Sequence, residues 1–169
     1  MPRYRSTIAQ DRSRLRTQGT PIISVMLGSA APIMPMIAVT PALPPFGLLF
    51  LLAWRLLRPE LWPLWIAAPL GLFDDIMSGQ PIGSSMFLWT VTLIGIEIAS
   101  SRLLWRDYWQ DWLIAAAAII FCLFGGAYFV RLSAGGGSML VVLPQMAWSI
   151  LLFPAVVRLC ALIDRWRLP

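Results

Sequence analysis

Apolar stretches and short arginine clusters alternate along this chain. The stretches run at about 20–39, 43–57, 61–77, 84–101, 109–131 and 139–162, close to the roughly 17–25 residues that an α-helix needs to cross a bilayer. Twelve of the 13 arginines fall into four clusters separated by apolar stretches: Arg3, Arg5, Arg12, Arg14 and Arg16; Arg55 and Arg58; Arg102 and Arg106; Arg158, Arg165 and Arg167. Two apolar stretches join each cluster to the next. Cationic residues beside membrane helices stay on the cytoplasmic side because translocating them is costly. Six crossings with both termini inside therefore put all twelve on one side and leave only Arg131 outside. The pattern predicts an all-α integral membrane protein with six transmembrane helices. Residues 1–19 form a basic cytoplasmic tail, and residues 20–169 form a single six-helix domain.

Composition narrows the chemistry. The 169 residues are 59% hydrophobic and 12% charged, whereas a soluble domain carries about a quarter charged residues. Six spans use nearly everything beyond the tail and leave no room for a soluble catalytic domain. There is no histidine and no lysine, which excludes imidazole metal sites, histidine general bases and Schiff-base or P-loop lysines. Cys122 and Cys160 stand in apolar stretches without CxxC spacing and read as packing residues. No metal and no cofactor is expected. A pI near 10.2 raises nucleic acid as a partner. The basic residues sit at membrane boundaries, however, where attraction to anionic headgroups of about 1 kcal/mol per arginine accounts for them. Membrane lipid is the expected partner, and nucleic acid is not.

Individual spans carry further signals. Pro32 and Pro35 break the first, in which Ser24 and Gly28 form a small-xxx-small pair that permits close helix approach. Pro63 and Pro69 fall in the third, whose neighbours are then expected to satisfy freed carbonyls. Trp54, Trp62, Trp65, Trp105, Trp109, Trp112 and Trp166 lie near the proposed cytoplasmic boundary, as an interfacial aromatic belt predicts. The fifth span carries a stripe of small residues, Ala115–Ala118, Cys122, Gly125 and Gly126, which helix packing explains as well as a ligand pocket would.

Ionisable groups inside spans cost about 2.5–3.5 kcal/mol each on insertion scales, so each needs a reason. Asp74 and Asp75 end the third span, at the negative pole of a helix dipole. Free amides at the start of the next helix, Ser84 and Ser85, offer compensation. One aspartate is expected to brace the loop at Gly79–Gly83 while the other faces water or Arg131. The sharper alternative makes Asp75 part of a site for another membrane protein or a polar ligand. Glu97 lies about one turn before the end of the fourth span, and Arg55 or Arg158 is its expected partner. No nucleophile accompanies these carboxylates, and neighbours on a helix point about 100° apart, which disfavours a paired-carboxylate hydrolase.

The segment from Gly71 to Gly83 resembles the rod shape-determining protein MreD family. Gly71, Asp75, Ser78, Gly79 and Gly83 match its pattern of a glycine, an acidic residue four positions on, Ser-Gly, and a further glycine at a helix junction. Asp74 is an addition to that pattern. The resemblance continues weakly through the fourth helix, and Trp148, Pro154 and Arg158 match in the last. It implies a non-enzymatic scaffold of the bacterial cell-elongation complex in the cytoplasmic membrane. Such a subunit binds MreC and, directly or through it, MreB filaments, RodA and the elongation transpeptidase. The family fold, a compact bundle, is similar to the substrate-binding subunits of energy-coupling-factor transporters. A vitamin-binding membrane subunit is therefore the competing reading, with a pocket framed by residues 74–83 and 133–138.

Overall fold

The computed structural model describes residues 7–31, 43–102, 107–135 and 142–167, with no strand among them. Its α-helices are α1 (Thr7–Ala30), α2 (Phe46–Leu57), α3 (Ala67–Ser78), α4 (Ser84–Arg102), α5 (Tyr108–Ala134) and α6 (Val142–Arg167). Two 3-10 turns, Pro59–Leu61 and Leu64–Ile66, join α2 to α3. Three helices, α4, α5 and α6, are long and apolar enough to cross a membrane. The other three fall short by length or composition. The apolar part of α1 is Gly19–Ala30, and α2 and α3 have 12 residues each. Twelve residues make about 18 Å of helix, against a hydrocarbon core of roughly 30 Å.

Helix α2 is apolar almost all round, the mark of a buried helix. Leu48, Leu49, Leu51, Leu52, Ala53 and Trp54 are all buried, with α1, α5 and α6 packed against the helix. Protein rather than lipid surrounds it, so its length need not match the bilayer. At its C-terminus Arg58 N donates to Trp54 O at 2.9 Å, and just ahead of its N-terminus Gln145 Nε2 of α6 donates to the Leu43 carbonyl at 2.6 Å.

Several expectations are corrected here. Helix α1 starts at Thr7, so the helix already runs through much of the basic tail. It ends ahead of Pro32, since a proline disfavours helical backbone in the residue before it. The remainder of the expected first span, with Pro32 and Pro35, lies outside the described residues. Pro63 falls between the two 3-10 turns, and Pro69 is the third residue of α3. An amide in a helix's first turn has no intrahelical acceptor, so Pro69 frees no carbonyl there. Trp54 does not join an aromatic belt: it is 0% exposed and its Nε1 donates to Ser24 Oγ at 2.9 Å. Trp62 is buried too, while Trp65, Trp109 and Trp166 are exposed. Trp105 lies outside the described residues.

Small residues set the close approaches. A Cβ at Gly28 would stand 2.9 Å from Gly47 N and from Phe46 C, so α1 and α2 touch backbone to backbone there. On α5, Ala115, Ala118 and Cys122 are buried, and a Cβ at Gly125 would meet Leu88 of α4 at 2.5 Å.

Candidate functional site

The helices bring polar groups together at two ends of the bundle. At one end, the C-terminus of α3 and the N-terminus of α4 form a tight hairpin over Gly79–Gly83. Gly71 makes it possible: a Cβ there would stand 2.7 Å from both Met86 Cα and Met86 N. Gly79 caps α3 in the left-handed region (φ 69) and Gly83 enters α4 at φ 96. Both conformations are costly for residues with a Cβ.

Asp75 fastens this hairpin. Its side chain is 1% exposed and accepts three hydrogen bonds across the turn. Gly83 N donates to Oδ2 at 2.8 Å, and Ser84 Oγ and Ser85 N donate to Oδ1 at 3.0 and 2.8 Å. These are amides that a helix start leaves without intrahelical partners, and the positive pole of the α4 dipole favours a carboxylate beside them. Ser78 is exposed and donates back to the Asp74 carbonyl at 2.7 Å.

Asp74 is half-buried and turns toward neighbouring helices rather than to Arg131. Its Oδ2 accepts from Ser85 Oγ at 3.2 Å, and a Cβ at Gly47 would collide with Ser29 Oγ and stand 3.1 Å from Asp74 Oδ1. With Asp75 turned toward α4, a rotation of about 100° points its neighbour at α1 and α2. Arg131 is exposed near the end of α5, and among the described residues no ion pair joins it to either aspartate.

At the other end gather the C-termini of α2, α4 and α6. Arg55 is 5% exposed, and its Nη2 pairs with Glu97 Oε2. Its Nη1 donates to the Pro59 carbonyl at 2.7 Å and the Trp62 carbonyl at 3.0 Å. Of the two partners expected for Glu97, Arg55 takes the role; Arg158 is exposed, with no ion pair among the described residues. Arg58 Nη2 and Nε donate to Asp164 Oδ2 at 2.9 and 3.1 Å, tying α2 to α6. Sequence reading did not single out Asp164 or foresee Arg55 as a buried hub. A charge at the edge of an apolar run is the same signal whether it faces headgroups or another helix.

Groups of three or more Asp, Glu, Cys or His able to hold a metal are absent among the described residues. A cleft of about 330 Å³ between α4 and α5 is walled by apolar side chains such as Val91, Ile114 and Phe121. Its Thr92 hydroxyl is engaged with Cys122 Sγ at 3.2 Å. A vitamin site normally converges several polar groups on the ligand, and this cleft does not. Part of the expected outer pocket, in residues 136–138, lies outside the described residues.

Helices able to cross a bilayer, cross-linked by pairing of their few polar groups, define a helical membrane protein. The family model of the rod shape-determining protein MreD matches residues 15–163. The chain belongs to that family, and its role lies in rod-shape determination. No curated protein and no solved structure matches it.

Proposed function

We propose that this chain is a non-enzymatic, multi-pass scaffold subunit of the bacterial cell-elongation complex in the cytoplasmic membrane. It crosses six times with both termini inside, in a compact bundle like that of energy-coupling-factor substrate-binding subunits. It binds MreC and, directly or through MreC, connects MreB filaments with RodA and the elongation transpeptidase. The observation that carries this reading is the family match across residues 15–163. The geometry is in keeping with it. Asp75, Arg55, Glu97, Arg58 and Asp164 all bond one helix to another or to a turn, as a docking frame requires.

In this reading the motif Gly71, Asp75, Ser78, Gly79 and Gly83 acts through the shape of the hairpin it builds. That hairpin presents Ile76 and Ile82, the latter 81% exposed. The test is mild-detergent co-purification of the tagged full chain from its native membranes, with partners identified by mass spectrometry. Recovery of MreC with the wall-synthesis enzymes is expected. Recovery of paired ATPases with a membrane coupling subunit would overturn the scaffold and install the vitamin-binding reading.

A further inference from the structure

At the arginine-rich end, residues of α2, α5 and α6 line a cleft of about 310 Å³. Leu57, Trp112, Pro154 and Val157 give it apolar walls, and Tyr108 and Asp111 stand at the start of α5. Its size suits a stretch of one hydrocarbon chain. The charges around it are asymmetric. Arg158 follows Pro154 by one turn of α6 and Arg165 follows by three, so the two guanidinium groups share the flank that Pro154 shares with the cleft. Both arginines are exposed, and neither has an ion-pair partner among the described residues.

We propose that this cleft holds one acyl chain of an anionic phospholipid, with its phosphate on Arg158 and Arg165. An acyl chain matches walls of leucine, tryptophan, proline and valine. A phosphate matches two unpaired cations about ten ångströms apart along the helix, within reach of flexible guanidinium side chains. The exposed Tyr108 and Trp109 stand at the start of α5, where amphipathic aromatic rings meet headgroups. The inference rests on membrane crossing by α5 and α6 but not on any protein partner.

The experiment uses the full chain in nanodiscs containing phosphatidylglycerol with a photoactivatable acyl chain, followed by peptide mapping. Crosslinks are expected to concentrate at Leu57, Trp112 and Val157. The double variant Arg158→Gln/Arg165→Gln should lower that labelling roughly thirtyfold, from about 1 kcal/mol per arginine near anionic headgroups. Both arginines are exposed, so the variant should keep its fold, and Arg102→Gln, an exposed arginine on α4, should leave labelling unchanged. Val157→Trp, which fills the cleft, should abolish labelling with the rim arginines intact. Equal cleft labelling by a phosphatidylcholine analogue, or labelling indifferent to the double variant, would overturn the headgroup assignment. Labelling spread evenly over exposed α6 residues such as Leu151 and Leu162 would overturn the site while leaving membrane insertion intact. Absence of acyl crosslinks anywhere on α5 and α6 would instead sink the membrane-crossing reading beneath it.

Discussion

The two polar ends of the bundle hold their carboxylates by different means. At the hairpin, among the described residues, Asp74 and Asp75 are held without a cation: Asp75 takes two backbone amides and a hydroxyl, and Asp74 a hydroxyl. At the arginine end, Glu97 and Asp164 are held by guanidinium groups. The hairpin joins groups 8 to 11 residues apart, while the arginine end joins groups 42 and 106 residues apart. Among the described residues, buried polar atoms without a hydrogen-bond partner occur at both ends: Ser29 Oγ, on the side of Asp74, and Arg55 Nε and Trp62 Nε1. What separates the ends is therefore the kind of group that holds each carboxylate and its distance along the chain.

The strongest way to break that comparison is Gly71→Leu. The atoms that a side chain would meet are backbone of Met86 and Ser85, which cannot rotate aside. Overpacking of this kind costs about 1–3 kcal/mol and occasionally more. We expect loss of the folded monomer on size exclusion and a collapse of thermal stability in detergent. A stable Gly71→Leu protein would mean that α3 and α4 do not meet as described.

Asp75→Ala comes next. It strands the buried Ser85 amide and Ser84 hydroxyl and the part-buried Gly83 amide. Water entering the space left by the carboxyl can pair with some of these donors, so a net loss of about 1–3 kcal/mol is expected. Asp75→Asn keeps one carbonyl acceptor and should lose less, in a denaturant titration followed by tryptophan fluorescence. Equal losses for the two variants would show that charge, rather than acceptor count, fastens the turn.

Arg55→Met against Glu97→Gln sharpens the other side. Glu97 is 55% exposed while Arg55 is buried. Removing the arginine strands the Pro59 and Trp62 carbonyls and should cost about 1–3 kcal/mol. Glu97→Gln retains an acceptor that water can assist, and less than about 1 kcal/mol should follow. The reverse order would mean that an uncompensated buried guanidinium dominates, as it does when a fully buried pair is broken.

Sequence distance explains what could be read beforehand. Asp75 lies 8 to 10 residues from its partners, across one loop, so spacing alone suggested a braced junction with free amides at Ser84 and Ser85. The helical class and the starts of α2, α4 and α5 followed from apolar runs, prolines and charges in the same local way. Arg55 with Glu97, and Arg58 with Asp164, depend on which helices pack together. A boundary arginine held by headgroups carries the same local signature as one held by another helix. Trp54 was misplaced for that reason: an indole beside an arginine suggests an interface, yet Ser24 on α1 supplies its acceptor. Asp74 was misplaced because the α1–α2 contact that encloses it depends on Gly28 and Gly47, which are silent about partners in one dimension.

The smallest stability effect separates the two roles that remain for the motif. Ser78 is exposed, and its one hydrogen bond runs within its own helix to the Asp74 carbonyl. Ser78→Ala should change stability by no more than about 0.5 kcal/mol, as for surface positions away from caps, cores and networks. If the motif works only by shaping the hairpin, this variant should also recover as much MreC as the wild type. A fall in MreC recovery at unchanged stability would make Ser78 a contact in its own right. The outer face of the hairpin would then be the docking surface itself, and Asp75 the residue that holds it in register.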